Sequence, residues 1–313
     1  MKSAFLSTLF LLFFINTLHA TTIDTTANIQ IGGIEQFVSI QGKNTAHPIL
    51  LYLHGGPGQA ASAQKDRITA KLEENFVVVH WDQRNSGQTL KLNAFDAPVT
   101  LDRMKKDAEE VFMHLLKRFK RSQLIILSNS WGTVLGFHLA HKYPKQVQAL
   151  FAVSPSINAT ESQKIALQRL KAHFTELEHK KALEQLSAVQ IPHETIEQMI
   201  VQYRWQSVSD GQEVTDEQIQ QYMPFFLDWE QKWMPIYKEL YNRNLAEELS
   251  ELHCPVYFFV GKKDYNTHFK LTEAYFEQLK APTKEIFWFD TGHNILKPQA
   301  ERVQEIIAEV LSK

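Results

Sequence analysis

Residues 124–133 read Leu-Ile-Ile-Leu-Ser-Asn-Ser-Trp-Gly-Thr, and this stretch decides the fold. Its first four residues form an apolar run typical of a buried strand, and residues 133–143 follow at once with a helical pattern. Between them, Ser128-Asn-Ser-Trp-Gly132 matches the small-x-Ser-x-Gly pattern of a nucleophile elbow, a sharp strand-to-helix turn that raises one serine above a sheet. The pattern predicts Ser130 as a nucleophile, although Ser128 stands where glycine is usual. A lone match of this kind also occurs in ordinary loops, so the rest of the chain decides.

Composition limits the class of protein. The chain has 313 residues, of which 44% are hydrophobic and 22% charged, and its formal net charge is -2. This is the balance of a globular protein with a large core. Nucleic-acid binding is not expected, because it requires a basic face. The single cysteine, Cys254, excludes both an intramolecular disulfide and a cluster of thiolate ligands.

The N-terminus has the pattern of an export signal. Lys2 precedes an apolar run over residues 4–15, and Ala20 offers a small residue for cleavage. The run is shorter than the roughly 20 residues that span a bilayer, which favours a cleaved signal peptide over residues 1–20. We therefore expect an exported protein, periplasmic or secreted, with no stable membrane insertion after cleavage. An uncleaved membrane anchor is the alternative.

Strand and helix patterns alternate over most of the chain. Helices are predicted over residues 64–74, 101–119, 133–143, 267–279 and 298–311. Such alternation predicts an α/β fold with a mostly parallel sheet covered by helices on both faces. Eight strands are predicted, over residues 23–31, 34–41, 49–53, 76–81, 124–127, 149–153, 256–260 and 285–289.

Between the sixth and seventh predicted strands the pattern becomes purely helical. Residues 156–249 are rich in Gln, Glu, Lys, Leu and Ala and are predicted to form a helical cap inserted into the sheet domain. Residues 21–155 and 250–313 would then form the core.

A serine nucleophile requires a base and a carboxylate that orients the base. Asp264 follows the predicted strand at 256–260, and His293 follows the strand at 285–289. The chain order Ser, Asp, His is that of an α/β-hydrolase. Either residue could instead belong to a surface turn, and Asp290 is a rival for Asp264. His293 would accept the Ser130 proton, and Asp264 would hold the imidazole.

The third element is His54-Gly-Gly-Pro-Gly58, directly after the strand at 49–53. An attacked carbonyl becomes an oxyanion, which N–H groups must meet. We predict the backbone amides of Gly56 and Trp131 as these donors. A plain Gly/Pro turn is the alternative.

Together, the glycine loop, Trp81-Asp-Gln-Arg-Asn-Ser-Gly87 and the Ser-Trp-Gly elbow closely resemble the proline iminopeptidase group of the α/β-hydrolase superfamily, peptidase family S33. The resemblance covers nearly the whole chain after the predicted signal peptide. It implies the α/β-hydrolase fold, the triad Ser130, Asp264 and His293, and structural roles for Asp82 and Arg84. It implies no cofactor or metal.

The chain departs from that group at several positions. Asn85 replaces a glycine, and Val153-Ser-Pro155 replaces a Leu-Arg-Gly whose arginine helps to build the substrate pocket. Relatives bind a substrate's amino group with paired acidic residues of the cap. The candidates here, which are equally typical of solvated helix faces, are Asp228, Glu230, Glu239, Glu247 and Glu248. These departures bear on proline specificity rather than on serine hydrolysis.

The cap also contains an aromatic run, in which Pro224 and Pro235 are expected to break the helix. Its aromatic side chains pack the cap onto the core, form an apolar pocket over Ser130, or do both. The run comprises Tyr222, Phe225, Phe226, Trp229, Trp233 and Tyr237. The residues predicted to line a substrate pocket are Gly55, Phe225, Trp229, Glu230 and Trp233.

The leading hypothesis is an exported serine aminopeptidase that releases N-terminal proline or another apolar residue from short peptides. The first alternative keeps the triad in a carboxylesterase or lipase-like enzyme of small acyl esters. The second is a non-catalytic binding module. A small peptide or ester is the expected partner, and the sequence does not specify an oligomeric state.

Overall fold

The computed structural model describes residues 21–94 and 97–312, so the predicted signal peptide lies outside the described residues. Eight strands form one sheet in the order β1-β2-β4-β3-β5-β6-β7-β8. Strands β1 and β2 pair antiparallel with each other, β2 pairs antiparallel with β4, and all remaining pairs are parallel. The strands are β1 (Ile23–Ile31), β2 (Ile34–Gly42), β3 (Ile49–Leu53), β4 (Val77–Trp81), β5 (Leu124–Asn129), β6 (Val147–Val153), β7 (Val256–Gly261) and β8 (Lys284–Phe289).

Helices cover both faces of this sheet. The helices of the core are α1 (Lys65–Ile68), a 3₁₀ helix (Ala70–Glu74), α2 (Gly87–Leu92), α3 (Leu101–Phe119), α4 (Gly132–Lys142), α10 (Phe269–Gln278) and α11 (Ala300–Leu311). Helices α3, α4 and α10 pack on one face, whereas α1, the 3₁₀ helix and α11 pack on the other. Strand β3 shows why the core has two sides: Leu51 and Leu53 belong to the first apolar cluster, and Leu50 and Tyr52 belong to the second. Alternate side chains of a strand point to opposite faces, so a strand covered on both sides is apolar throughout.

The segment between β6 and β7, for which a helical cap is predicted, consists of helices. Its helices are α5 (Ala159–Glu176), α6 (Lys180–Ser187), α7 (Ile196–Ser209), α8 (Asp216–Tyr241) and α9 (Leu245–Glu248). The expectation that two prolines break the aromatic run was wrong, because α8 continues through Pro224 and Pro235. Each proline removes one backbone donor but keeps a φ suited to a helix. A capping box at Thr215 and buried residues such as Trp233 and Leu240 stabilise the helix on either side.

Two differences between the predicted and the observed helix bounds have a local physical cause. The helix predicted over 64–74 is interrupted at Thr69, whose hydroxyl contacts Lys65 O at 3.1 Å and His80 Nε2 at 2.7 Å. The helix predicted from residue 267 begins at Phe269, because residues 264–268 form a turn around Asp264. Within the described ranges, no helix is long and apolar enough to cross a membrane.

Candidate active site

Ser130 occupies the sharp turn between β5 and α4. Its φ is +51°, a left-handed conformation that is uncommon for a non-glycine residue and is typical of a strained functional turn. Its backbone N–H donates to Val153 O at 2.9 Å, which ties the turn to the neighbouring strand. Gly132 is required for a steric reason, since an added Cβ would lie 2.2 Å from Leu53 O.

Ser128, the departure from the usual glycine, fits because of its surroundings. Its hydroxyl donates to Phe151 O at 3.1 Å. Gly136 of α4 leaves the space, as a Cβ there would lie 2.7 Å from Ser128 Oγ. The close approach of strand and helix is therefore preserved by a glycine on the helix.

The three residues of the predicted triad lie together at the carboxyl edge of the sheet. Ser130 Oγ is 3.0 Å from His293 Nε2, and His293 Nδ1 is 2.9 Å from Asp264 Oδ2. Because an ionised carboxylate can only accept, Nδ1 carries the proton and the neutral imidazole presents Nε2 as acceptor to the serine O–H. This is the tautomer that a general base requires.

Asp264 is held in place by its own turn. The N–H groups of Asn266 and Thr267 each donate to Asp264 Oδ1 at 2.9 Å, and the Thr267 hydroxyl lies 2.9 Å from Oδ2. The carboxylate is buried. The rival Asp290 is exposed and pairs with Lys263 at 2.9 Å, so it does not orient the histidine.

The charges of the two groups change each other's pKa. Burial by itself lowers the pKa of His293, but the charge of Asp264 and the hydrogen bond to it outweigh burial, and the pKa is raised above 6.5. Burial likewise opposes ionisation of Asp264, yet His293 and the donors of Thr267 hold the pKa of that carboxyl below its usual value. The pair therefore favours the protonated imidazole beside an ionised aspartate, which is the state formed during proton transfer.

The glycine loop lies directly beside the nucleophile. A Cβ on Gly55 would approach Ser130 Cβ to 3.3 Å, and Gly56 has a φ of +118°, a region that favours glycine. In the described part of the chain, the N–H groups of Gly56 and Trp131 have no protein acceptor. Both remain available to a negatively charged oxygen.

Gln83 is a residue that the sequence analysis missed, and it connects both sides of this site. Its Oε1 accepts from Trp131 Nε1 at 2.8 Å, and its Nε2 donates to His54 O at 3.2 Å. Its backbone N–H also donates to His54 Nε2 at 3.2 Å. Gln83 thus links the residue after the nucleophile to the start of the glycine loop. The only signal in the sequence was its position between Asp82 and Arg84.

His54 Nε2 can accept the hydrogen bond from Gln83 only when the imidazole is neutral. Its Nδ1 lies 2.9 Å from Gly55 O and donates, which leaves Nε2 to accept from Gln83. Burial lowers the pKa of His54 to about 4, so the ring is uncharged at neutral pH.

Asp82 and Arg84 make structural contacts. Asp82 accepts from the backbone N–H of Ser62 at 2.9 Å and from its hydroxyl at 2.6 Å. Arg84 pairs with the buried Asp107 at 2.7 Å and donates to Gly32 O. These bonds connect loops beside the site without reaching the triad.

Two of the departures from the proline iminopeptidase pattern have physical explanations. Asn85 has a φ of +59°, and asparagine tolerates the left-handed region better than most residues. Ser154 stands where the group carries arginine, and its hydroxyl donates to His293 O at 2.8 Å. Ser154 therefore supports the histidine loop instead of a substrate.

A cavity of about 540 Å³ lies between the glycine loop and cap helices α7 and α8. Three residues predicted for the substrate pocket, Phe225, Trp229 and Trp233, are on its wall, and Gly56 and Asn266 border it on the side of the triad. Trp229 Nε1 donates to Pro57 O at 3.0 Å, so the cap is hydrogen-bonded to the glycine loop.

Two residues predicted for the pocket lie elsewhere. Gly55 lines a small neighbouring pocket instead, and a Cβ added to it would lie within 3.3 Å of Asn129 and Ser130. Glu230 points to the start of α7, where its carboxylate accepts from the N–H of Ile196 at 3.0 Å. A carboxylate is stabilised there by the unpaired N–H groups and the dipole of a helix N-terminus.

Of the other acidic candidates, only Asp228 reaches the cavity wall, and it pairs with Lys232 at 2.6 Å. Glu239 accepts from Leu101 N at 3.3 Å, and Glu248 pairs with Arg243.

A mostly parallel sheet, a serine in a strained turn after β5, and a histidine and an aspartate at the ends of the last two strands together define the class of α/β hydrolases. The sequence profile of the S33 serine aminopeptidases matches residues 44–298, and the chain belongs to that family. It is thus a hydrolase, and both the predicted fold and the predicted resemblance are confirmed.

Similar proteins agree with this assignment. The "Probable aminopeptidase YbaC" of Bacillus subtilis is 26% identical over 306 residues, covering 91% of this chain and 94% of the relative. The crystal structure of a proline iminopeptidase from Mycobacterium smegmatis is similar with a TM-score of 0.66 and 18% identity, covering 92% of this chain and 98% of that one. An enol-lactonase from Burkholderia xenovorans has a TM-score of 0.60 and 14% identity over 92% of this chain and all of that one. At these identities the two structures show a shared fold only.

Proposed function

We propose that this protein is an exported serine aminopeptidase that releases N-terminal proline or another apolar residue from short peptides. The observation that carries the proposal is the continuous hydrogen-bonded arrangement of Ser130, His293 and Asp264 beside two free backbone N–H groups. Family membership and the aminopeptidase relative support the reaction class. The apolar wall beside the glycine loop supports an apolar substrate group.

The reaction follows from the proposed roles. Ser130 Oγ attacks the carbonyl carbon of the first peptide bond while His293 Nε2 takes the hydroxyl proton. The oxyanion that forms is bound by the N–H groups of Gly56 and Trp131. His293 then gives its proton to the leaving amine, the C–N bond breaks, and an acyl-enzyme remains. A water molecule, deprotonated by His293, attacks the carbonyl carbon of this ester. The bond from that carbon to Ser130 Oγ then breaks, His293 returns the proton to Oγ, and the amino acid is released.

One observation favours the esterase alternative. An aminopeptidase must accommodate a substrate ammonium, yet the acidic residue on the described cavity wall, Asp228, is already paired with Lys232. An ester whose acyl group carries no charge does not require an acidic partner on the cavity wall.

One substrate panel discriminates between these functions. Aminoacyl anilides and acyl esters are to be compared on the wild type, on Ser130→Ala and on Asp228→Asn. An aminopeptidase should turn over proline or leucine anilides strongly and butyrate esters weakly, and Asp228→Asn should raise KM for the anilides alone if that carboxylate meets the ammonium. A preference for butyrate esters over the anilides would contradict the aminopeptidase proposal and favour the esterase.

Ser130→Ala should lose activity on both substrate classes by about 10⁴-fold or more, because the nucleophile is removed. Its circular dichroism should remain that of the wild type. Failure of the wild-type Ser130 to react with a fluorophosphonate probe would instead favour a non-catalytic binding module. Export is tested separately, by N-terminal sequencing of the mature protein, which should begin after Ala20.

A further inference from the structure

The cavity beside the glycine loop is larger than a proline ring requires. At about 540 Å³ it is within the range of pockets that bind drug-sized ligands. A proline side chain, by contrast, consists of only three methylene groups. The wall is mainly apolar, and its principal apolar residues are Met199, Ile200, Phe225, Phe226, Trp229 and Trp233.

Three aromatic side chains of α8 form a path from solvent to the glycine loop. Phe225 is 60% exposed, Trp229 hydrogen-bonds to Pro57 O, and Trp233 is buried against Gly58, where an added Cβ would lie 2.7 Å from its Nε1. Their spacing of four residues places them on one face of the helix. With a rise of about 1.5 Å per residue, the path from residue 225 to residue 233 is roughly 12 Å long.

The outer end of this path is an exposed apolar patch, which we define as Tyr222 and Phe225. These side chains are 56% and 60% exposed and, being three residues apart in one helix, are neighbours on its surface. A concentration of exposed apolar groups marks an interaction site more often than isolated ones do. Because Phe225 belongs to both the patch and the cavity wall, the patch is continuous with the cavity.

The charged side chains on the described wall are paired within the protein. Asp228 pairs with Lys232, and Arg204 pairs with Asp216. The cavity therefore favours an uncharged group, since a charged one would lose hydration without an unpaired partner of opposite sign.

We propose that the cavity binds an extended, uncharged apolar chain attached to the scissile carbonyl, which runs along α8 and leaves past Phe225. This proposal rests on the proposed serine hydrolase function and specifies its substrate class. The chain could be the unbranched side chain of an N-terminal residue or the acyl chain of an ester. The two sources share the same chemistry and differ only in the α-amino group.

Two homologous substrate series test the proposal. The first consists of α-aminoacyl anilides with unbranched side chains of one to six carbons, and the second of p-nitrophenyl esters of unbranched acids of two to ten carbons. We expect kcat/KM to rise by up to about fourfold for each added methylene in at least one series, because each buried methylene adds apolar contact. The series that shows the rise identifies the source of the chain. A profile that is flat, or that is highest for alanine or acetate, would overturn the proposal.

Two substitutions localise the effect. Phe225→Ser should reduce kcat/KM most for the longest chains and so flatten the profile, whereas Leu177→Ser should leave it unchanged. Leu177 is a matched control because it is 59% exposed and lies at the end of α5, away from the cavity wall. An unchanged profile in Phe225→Ser would contradict the proposal. So would a wild-type dimer in sedimentation velocity that becomes monomeric in Phe225→Ser, because the patch would then be an interface between copies.

A binding measurement separates this proposal from the proposed function. Unbranched primary alcohols of two to ten carbons are titrated by calorimetry into Ser130→Ala, which needs no turnover. Saturable binding that tightens with length would support the cavity assignment even if neither substrate series reacted with the wild type. Absence of such binding would overturn it even if the enzyme hydrolysed proline anilides.

Discussion

The carboxyl edge of the sheet and the cap differ in how they position the residues that face the site. At the sheet edge, backbone groups take part in most of the hydrogen bonds that position Ser130, Asp264 and His293. They are the N–H of the tied turn, two N–H groups that donate to Asp264, and the carbonyl of His293, which accepts from the Ser154 hydroxyl. In the cap, the residues that face the site are side chains of α7 and α8, and Trp229 carries the hydrogen bond to the glycine loop. The edge therefore specifies the chemistry, whereas the cap can change its substrate by exchanging side chains.

The largest expected effect lies at the sheet edge. Asp264→Asn removes the charge that stabilises the protonated imidazole and allows the wrong tautomer, so kcat should fall by about 10⁴-fold. Steady-state kinetics at a saturating substrate concentration measure this loss. Asp290→Asn is the matched control, because that exposed carboxylate pairs with Lys263 and not with His293, and a change of less than twofold is expected there. Comparable losses in both variants would mean that Asp264 is not the orienting group.

The pH dependence follows from the same pair. His293 must be neutral to accept the serine proton, and its pKa is raised by Asp264, so kcat/KM should fall as pH decreases through a value above 6.5. Below that value the loss approaches tenfold per pH unit. In Asp264→Asn, no carboxylate counteracts the effect of burial, which lowers the pKa of His293. The inflection of the residual activity should therefore move to lower pH. A wild-type inflection below 6.5 would contradict this account.

Gln83 belongs to neither the triad nor the oxyanion donors, so a smaller effect is expected. Gln83→Leu removes the connection between Trp131 and His54, and kcat should fall by about 10- to 100-fold with little change in KM. The rate of labelling by a fluorophosphonate should fall in parallel, because its oxygen occupies the same site. The inflection of kcat/KM with pH should stay in place, since His293 is untouched. A shifted inflection would instead indicate that the substitution disturbs the whole site, including His293. Gln123→Leu, at an exposed position, serves as the control.

The smallest expected effect lies in the cap. Trp229→Phe keeps an aromatic ring but loses the donor to Pro57 O, and a single hydrogen bond is worth about 0.5–1.5 kcal/mol. We expect a loss of about 2- to 12-fold in kcat/KM. Trp205→Phe loses a similar bond, to Gln185 within the cap, and should change kcat/KM by less than twofold. Equal effects of the two substitutions would show that the contact with the glycine loop has no special role.

The sequence was sufficient to predict that Ser130, Asp264 and His293 lie at the sheet edge, because short sequence patterns determine their positions. The elbow needs small residues at fixed offsets, and parallel strands bring the loops at 264 and 293 to one edge in a known chain order. The glycine loop follows its strand for the same reason. These features depend on neighbours in sequence or on strand register.

Sequence reasoning did less well where side chains meet across elements. Glu230 was assigned to the pocket, but the turn of α8 directs it to the start of α7. The hydrogen-bond partners of Gln83 and Ser154 could not be predicted, because they lie far away in sequence. The continuity of α8 through two prolines depends on tertiary packing, which overrides local preference.

The neutral state of His54 has a consequence for the stability of the whole molecule. His80, which contacts Thr69, and His193, which lies between Tyr241 and Gln202, are also buried, and burial lowers their pKa values to about 3 and about 4. Each ring takes up a proton below pH 6.5 only when the chain unfolds, so acid favours the unfolded state. The cost is about 1.4 kcal/mol per histidine for each pH unit between roughly 6.5 and 4. A fold that is stable by only a few kcal/mol should lose its structure within that window.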